Sequence, residues 1–254
     1  MGPMRLAPRY SVAAVSHVGR RQNNEDFHRV MRLEVPQGNL LLLAVADGMG
    51  GMEAGEWASK VAIEALSEAV RAYAEHLKGG RPAVGLSKVM EKAFTLAAKR
   101  VEKEAQRLGK KGMGTTLTAF LYADWLKEGV VGHIGDSRAY HLTPKGLKRL
   151  TEDHSWVAER LREGVLTRTE AERHPYRNVL TRALGLPEAR FDLKGVHLAP
   201  GEGVLLVTDG LYGLVPEEEW VLGKDLQASL EGLLAEALRR GGDDNVTAIA
   251  LRVE

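Results

Sequence analysis

The stretch Leu40 to Gly51, LLLLAVADGMGG, decides how the rest of the chain is read. Seven apolar residues run unbroken into Asp47, and three glycines fall within the next four positions. An apolar run of this length, bounded by turn residues, predicts a strand buried on both faces. Asp-Gly after a strand ordinarily announces a hairpin and a second strand. None follows: from Ala54 the apolar positions 54, 57, 58, 61, 62, 65, 66, 69, 70 and 73 form one helical stripe. Asp47 is therefore expected at a strand end facing a glycine-opened gap, where folds place residues that do chemistry. Val204 to Gly213, VLLVTDGLYG, repeats the arrangement, and Asp47 and Asp209 are expected to meet.

Outward from that strand, Tyr10 to Ser16 and Met31 to Val35 read as strands, the second ending in the turn Pro36-Gln37-Gly38-Asn39. Downstream, Lys78-Gly79-Gly80-Arg81-Pro82 ends the first helix, and a second runs from near Val84 to about Leu108. Two long helices joined by a short break predict an antiparallel pair covering one face of a sheet. Thr115 to Tyr122, Gly129 to Ile134 and Ser137 to Leu142 read as a meander. Glu152 to Gly164 reads as helix and Thr167 to His174 as a short helix or loop. Arg190 to Leu198 and Val204 to Thr208 read as strands, Leu226 to Arg240 as an amphipathic helix, and Val246 to Val253 as the last strand. No composition break marks a linker, so residues 1–254 are expected to form one α+β domain, with antiparallel strands inside and paired helices outside.

Composition narrows the function. Lys plus Arg number 35 and Asp plus Glu 34, a formal charge of +1, which argues against nucleic acid as a partner. The chain has no cysteine, excluding disulfides, thiolate metal sites and cysteine nucleophiles. No stretch approaches the ~18 apolar residues that span a membrane. The first ten residues, MGPMRLAPRY, lack a signal-peptide core, and Leu6 breaks the myristoylation pattern. A soluble, cytoplasmic chain without membrane association is expected.

Five aspartates end apolar strands or occupy glycine-rich turns: Asp26 in NNED, Asp47 in VADGMGG, Asp136 in GHIGDSR, Asp209 in VTDG and Asp244 in GGDDNVT. One Asp-Gly alone is more often a turn than a ligand, and Arg21 alone reads as a solvated side chain. Five such carboxylates converging at the ends of a sandwich would repel one another unless a cation joined them. Mg²⁺ or Mn²⁺ suits such a pocket, since both prefer carboxylate, carbonyl and water oxygens. Glycine lets a backbone carbonyl approach the ion. Two lookalikes fail. A dinucleotide fingerprint needs glycine where Glu53 stands, and a P-loop needs Lys and Ser/Thr where Glu56 and Trp57 stand.

Taken together and in order, the motifs resemble the metal-dependent Ser/Thr protein phosphatases, the PPM or type 2C family, in their compact bacterial form. The segments are RQNNED at Arg21 to Asp26, VADGMGG at Val45 to Gly51, GTTL at Gly114 to Leu117 and GDSRAY at Gly135 to Tyr140. They continue with EDHS at Glu152 to Ser155, LTRALG at Leu180 to Gly185, VTDGL at Val207 to Leu211 and DDNVT at Asp243 to Thr247. The resemblance implies a central antiparallel β-sandwich flanked on both faces by pairs of antiparallel helices, and two Mn²⁺ or Mg²⁺ ions at one end of it. It implies that Asp47 bridges both ions, that the Gly48 carbonyl binds one, and that Asp209 and Asp244 hold the other. By the same resemblance Asp26 would hold a metal-bound water or sit at the edge of that shell with Glu25 beside it, Asp136 with Asp209 matches an additional metal site, and Arg21 matches a phosphate-binding arginine. Residues from Ser155 to about Pro175 match a mobile flap. Where bacterial relatives commonly carry histidine after the last glycine of D-G-x-G-G, this chain has Met52.

The implied reaction is hydrolysis of phosphoserine or phosphothreonine on proteins by a metal-activated water, with no phosphorylated enzyme residue. Phosphorylated proteins, with a Ser/Thr kinase acting on the same substrates, are the implied partners of a monomeric enzyme. Two alternatives stand beside it: a two-metal phosphodiesterase, and a non-catalytic phosphoprotein-binding regulator.

Overall fold

The computed structural model describes residues 9–254, and the reading of the first residues as neither signal peptide nor acylation site lies outside the described residues. Parity decides how the central strand is used. Strand β3 (Gly38–Met49) turns Leu40, Leu42, Ala44 and Ala46 toward a helical layer, and Leu41, Leu43 and Val45 toward a second sheet. Successive side chains of a strand point to opposite faces, so an all-apolar run needs cover on both.

One sheet has the order β2 (Asp26–Val35), β3, β5 (Leu117–Ala123), β6 (Glu128–Ile134), β9 (Asp192–His197). The other has the order β1 (Tyr10–His17), β11 (Val246–Val253), β10 (Gly203–Val207), β7 (Arg138–Thr143), β8 (Gly146–Arg149). Neighbours in both sheets pair antiparallel. Phe120, Tyr122, Val204, Leu206, Ile249 and Leu251 fill the space between the sheets together with the odd-numbered face of β3.

Helices α1 (Met52–Lys78) and α2 (Leu86–Leu108) cover the first sheet. The α1 stripe is rich in alanine (Ala54, Ala58, Ala62, Ala65), which lets the helix lie close to β3. On the outer face of the second sheet, Leu230 and Leu233 of α6 (Leu226–Arg239) and Leu211 of the four-residue α5 (Asp209–Tyr212) pack against Leu205 and Val207. The layers are α-β-β-α, with two long helices on one side and one long and one short on the other.

Three local readings change. Only β5 and β6 form the expected meander: β7 belongs to the other sheet, and Gly135-Asp136-Ser137 carry the chain across. Gly135 makes that crossing with a φ of +108°, a conformation costly for a residue with a Cβ. The helix read from Glu152 begins only at Trp156, as α3 (Trp156–Arg162), with Ser155 as its N-cap accepting from Ala158 N–H. Side-chain ties hold the residues before it: Arg138 forks onto Asp153, and the His154 ring accepts from Gly135 N–H. Finally, β8 and α5 have no counterpart in the sequence pattern, because four residues give too little periodicity to register. Helix α4 (Arg168–Arg173) sits where a short helix or loop is expected, opened by a Thr167–Glu170 capping box.

Candidate metal centre

Asp47 lies within β3, and this corrects the expectation that the strand ends there. Beyond it, Gly48 and Met49 pair with Thr115 and Gly114 of the short strand β4 (Gly114–Thr115). Thr116, between β4 and β5, replaces the missing rung of the ladder. Its Oγ1 accepts from Asp47 N–H at 2.9 Å and its own N–H donates to Asp47 O at 3.0 Å. Gly48 N–H donates to Glu25 O, which brings the Arg21–Asp26 segment alongside. A Cβ on Gly48 would lie 1.8 Å from the Gly55 carbonyl oxygen, so only glycine lets the first turn of α1 press against β3.

Asp136 sits at the crossing between the sheets, where the Tyr212 hydroxyl donates to its backbone oxygen at 2.5 Å. Arg138 stacks 3.5 Å over that tyrosine ring while it holds Asp153. Asp209 is the first residue of α5, one residue beyond the end of β10 at Val207. The next residue, Gly210, would place a Cβ 1.9 Å from the Asn245 carbonyl oxygen, so α5 begins tight against the loop that carries Asp244.

Strands from both sheets therefore deliver their aspartates to one end of the sandwich. Carboxylate oxygens of Asp47, Asp136 and Asp209 lie within 4.8 Å of one another. Arg21, Glu25, Gly48, Asp244 and Asn245 line the same cavity, of about 370 Å³. Asp26, paired with Asp47 across β2 and β3, is buried behind it, and its Oδ2 accepts from the Thr208 and Thr247 hydroxyls at 2.9 and 2.7 Å. Arg21 is largely exposed. Its Nε donates to Asp243 O at 3.0 Å and stands 3.6 Å from an Asp244 carboxylate oxygen. Met52 opens α1, and its side chain lies outside the described residues.

Electrostatics make this arrangement costly for the protein alone. Burial, reinforced by neighbouring carboxylates, pushes Asp47 and Asp136 well above the usual carboxylate range. Asp209 is raised to about 6 by burial and by Asp244, and Asp26 to about 7 by burial against the opposing pull of its two threonine hydrogen bonds. Asp209 Oδ1 and Asp26 Oδ1 are buried without a partner among the described residues. Buried orphan oxygens and mutually repelling carboxylates are the donor set a hard divalent cation satisfies.

Several residues of the site were missed by sequence reasoning. Asn245 ties it together: Oδ1 accepts from Glu25 N–H at 2.8 Å, and Nδ2 donates to Val18 O and Asn23 O. The available signal was its place directly after Asp244 in DDNVT. Asn178 lines the cavity as well, and nothing in its local sequence marks it.

A two-sheet sandwich whose strands bring aspartates to one buried, cation-suited pocket defines a metal-site protein of the α-β-β-α type. Comparison with known proteins makes this specific. Residues 14–248 match the family model described as Protein phosphatase 2C, and the chain belongs to that family. It is 35% identical over 234 residues to the "Serine/threonine phosphatase stp" of Listeria monocytogenes, covering 90% of each chain. It is 35% identical over 260 residues to the "Serine/threonine protein phosphatase PstP" of Mycobacterium tuberculosis, spanning 100% of this chain and 46% of that one. The crystal structure of the M. tuberculosis phosphatase superposes with a TM-score of 0.83 at 34% identity, covering 96% of this chain and 99% of that one. A structure of the PstP catalytic domain in complex with two manganese ions gives 0.80 at 34% identity, covering 96% and 98%.

Proposed function

We propose that this chain hydrolyses phosphoserine and phosphothreonine monoesters on proteins, using two Mn²⁺ or Mg²⁺ ions. The observation that carries the reading is the cluster of Asp47, Asp136 and Asp209 within 4.8 Å, in a chain of the Protein phosphatase 2C family. Asp47, Asp209, Asp244 and the Gly48 carbonyl would hold the two ions, Asp136 with Asp209 would serve an additional site, and Asp26 would support them from behind. Bound there, divalent ions supply an acidified water and neutralise charge developing on the phosphoryl group.

The remaining work falls to the chain's own side chains. Among the described residues only Nε of Arg21 is engaged, which leaves its terminal NH₂ groups for two phosphate oxygens in the planar fork that suits them. Asp243 O and Asp244 anchor that guanidinium at the cavity mouth. Position 52 supplies no proton to the leaving serine or threonine oxygen, because methionine has none to give. A second cavity, of about 700 Å³, lies under α3 and α4 and shares Asp136, Asn178 and Asp209 with the first. We assign the segment 155–175 above it as a flap that seats the polypeptide around the phosphorylated residue.

We further read residues 1–254 as one catalytic domain, acting as a monomer in the cytoplasm on substrates phosphorylated by a Ser/Thr kinase. No helix among the described residues is long and apolar enough to cross a membrane. Turnover of a phosphothreonine peptide with Mn²⁺ tests the proposal. Activity that persists in EDTA, or in Asp209→Asn at the wild-type rate, would overturn it.

A further inference from the structure

His154 has no part in the chemistry above, yet it is 1% exposed and each of its polar atoms is engaged. Its Nδ1 accepts from Gly135 N–H at 3.0 Å, and its own N–H donates to Gly135 O at 2.8 Å. A ring nitrogen that accepts carries no hydrogen, so the proton is on Nε2, which donates to Asp192 Oδ2 at 2.8 Å. Asp192, at the start of β9, is steadied in turn by Arg182 at 3.3 Å. The carboxylate thus fixes which tautomer His154 adopts, and the tautomer fixes the grip on Gly135.

Gly135 immediately precedes Asp136. One histidine therefore holds both the N–H and the C=O of the residue from which Asp136 is aimed. On the other side of Asp136, Ser137 Oγ is 2.8 Å from Thr116 Oγ1, the atom that accepts from Asp47 N–H. His154 also stands at the root of the 155–180 segment. Thr181 N–H donates to His154 O, Ser155 pairs with Leu180, and Trp156 N–H donates to Val179 O.

We propose that His154, oriented by Asp192, is a positioning residue that aims Asp136 into the carboxylate cluster and links that aim to the seating of residues 155–180. The inference rests on the reading of Asp136 as a metal ligand. Residues behind metal ligands set ligand direction, and their loss typically weakens metal binding by about 10–100-fold.

The test is Mn²⁺ titration calorimetry on the whole chain, wild type against Asp192→Ala and His154→Asn, with ¹⁵N spectra of the imidazoles in metal-free wild type. The expected result is weakening of the weakest-bound Mn²⁺ by about 10-fold or more in both variants. Phosphopeptide turnover should fall at limiting Mn²⁺ and return at saturating Mn²⁺, a rescue that general misfolding would not show. The spectrum should place the His154 proton on Nε2. Asp192 is half exposed (49%), so its variant carries the test if His154→Asn does not fold. Mn²⁺ affinity within about twofold of wild type in the folded variants, or a proton on Nδ1, overturns the positioning role alone. Wild type that binds no Mn²⁺ overturns the metal reading beneath it.

Discussion

Replacing Asp209 by asparagine should stabilise the metal-free protein while abolishing its activity. In the folded chain Asp209 titrates at about 6 instead of 3.8, with burial as the largest cause and Asp244 next. A folded-state pKa raised above the unfolded one means the folded form pays for ionisation. The penalty is absent below about pH 4, grows as pH rises through 6, and is complete at pH 7.5. At about 1.4 kcal/mol per pH unit, the displacement is worth about 3 kcal/mol. For a chain of this size that free energy corresponds to a melting temperature roughly 6–12 °C higher. Differential scanning calorimetry in EDTA at pH 7.5 and pH 4 reads it directly, with the gain expected at the first pH and absent at the second. Added Mn²⁺ should raise the wild-type midpoint more than that of the variant, which keeps Asp47 and the Gly48 carbonyl but loses the Asp209 carboxylate. If Asp209→Asn melts at or below wild type in EDTA at pH 7.5, the carboxylate cluster is not the strained, cation-ready site described.

Gly48→Ala forces a Cβ to within 1.8 Å of the Gly55 carbonyl oxygen, so α1 must move off β3; about 1–3 kcal/mol or more should be lost in urea unfolding, with phosphatase activity falling alongside. Asn245→Ala leaves Glu25 N–H, Val18 O and Asn23 O without their partner, at about 1–3 kcal/mol for each group left buried. It also frees the Arg21 segment, so kcat/KM for a phosphopeptide should drop more than stability alone explains. His133 is buried and its pKa is depressed to about 4 from 6.5, chiefly by burial and then by His154. The unfolded chain takes up that proton first, so stability is lost as pH falls from 6.5 toward 4. His133→Gln lacks the titration, and the wild-type advantage over it should shrink by about 3 kcal/mol across that window in urea unfolding curves.

Several features followed from local sequence because their causes are local. The unbroken apolar run at Leu40 could only be a strand covered on both faces, and parity then divided Leu40 and Leu42 from Leu41 and Leu43. The stripe from Ala54 could only be a one-sided helix, and Val246–Val253 is found with the bounds its pattern predicted. Asp47 and Asp209 were legible as chemical residues because an aspartate and a glycine after a buried strand stand out against the apolar run that precedes them.

Tertiary structure decided what depends on residues far apart in the chain. Gly135 carries the chain from one sheet to the other, and that crossing, not a turn within a meander, is what brings Asp136 beside Asp47. Thr116 completes a rung for Asp47 from 69 residues away. Asn245 and His154 lie within motifs of the chain, but which groups they hold appears only when the fold closes around them, because a hydrogen bond partner leaves no periodicity in the sequence. Composition and pattern sort residues into apolar and polar and set the period of each element. Which buried carboxylates share a pocket, and how far their charges push one another, is settled only when the two sheets meet.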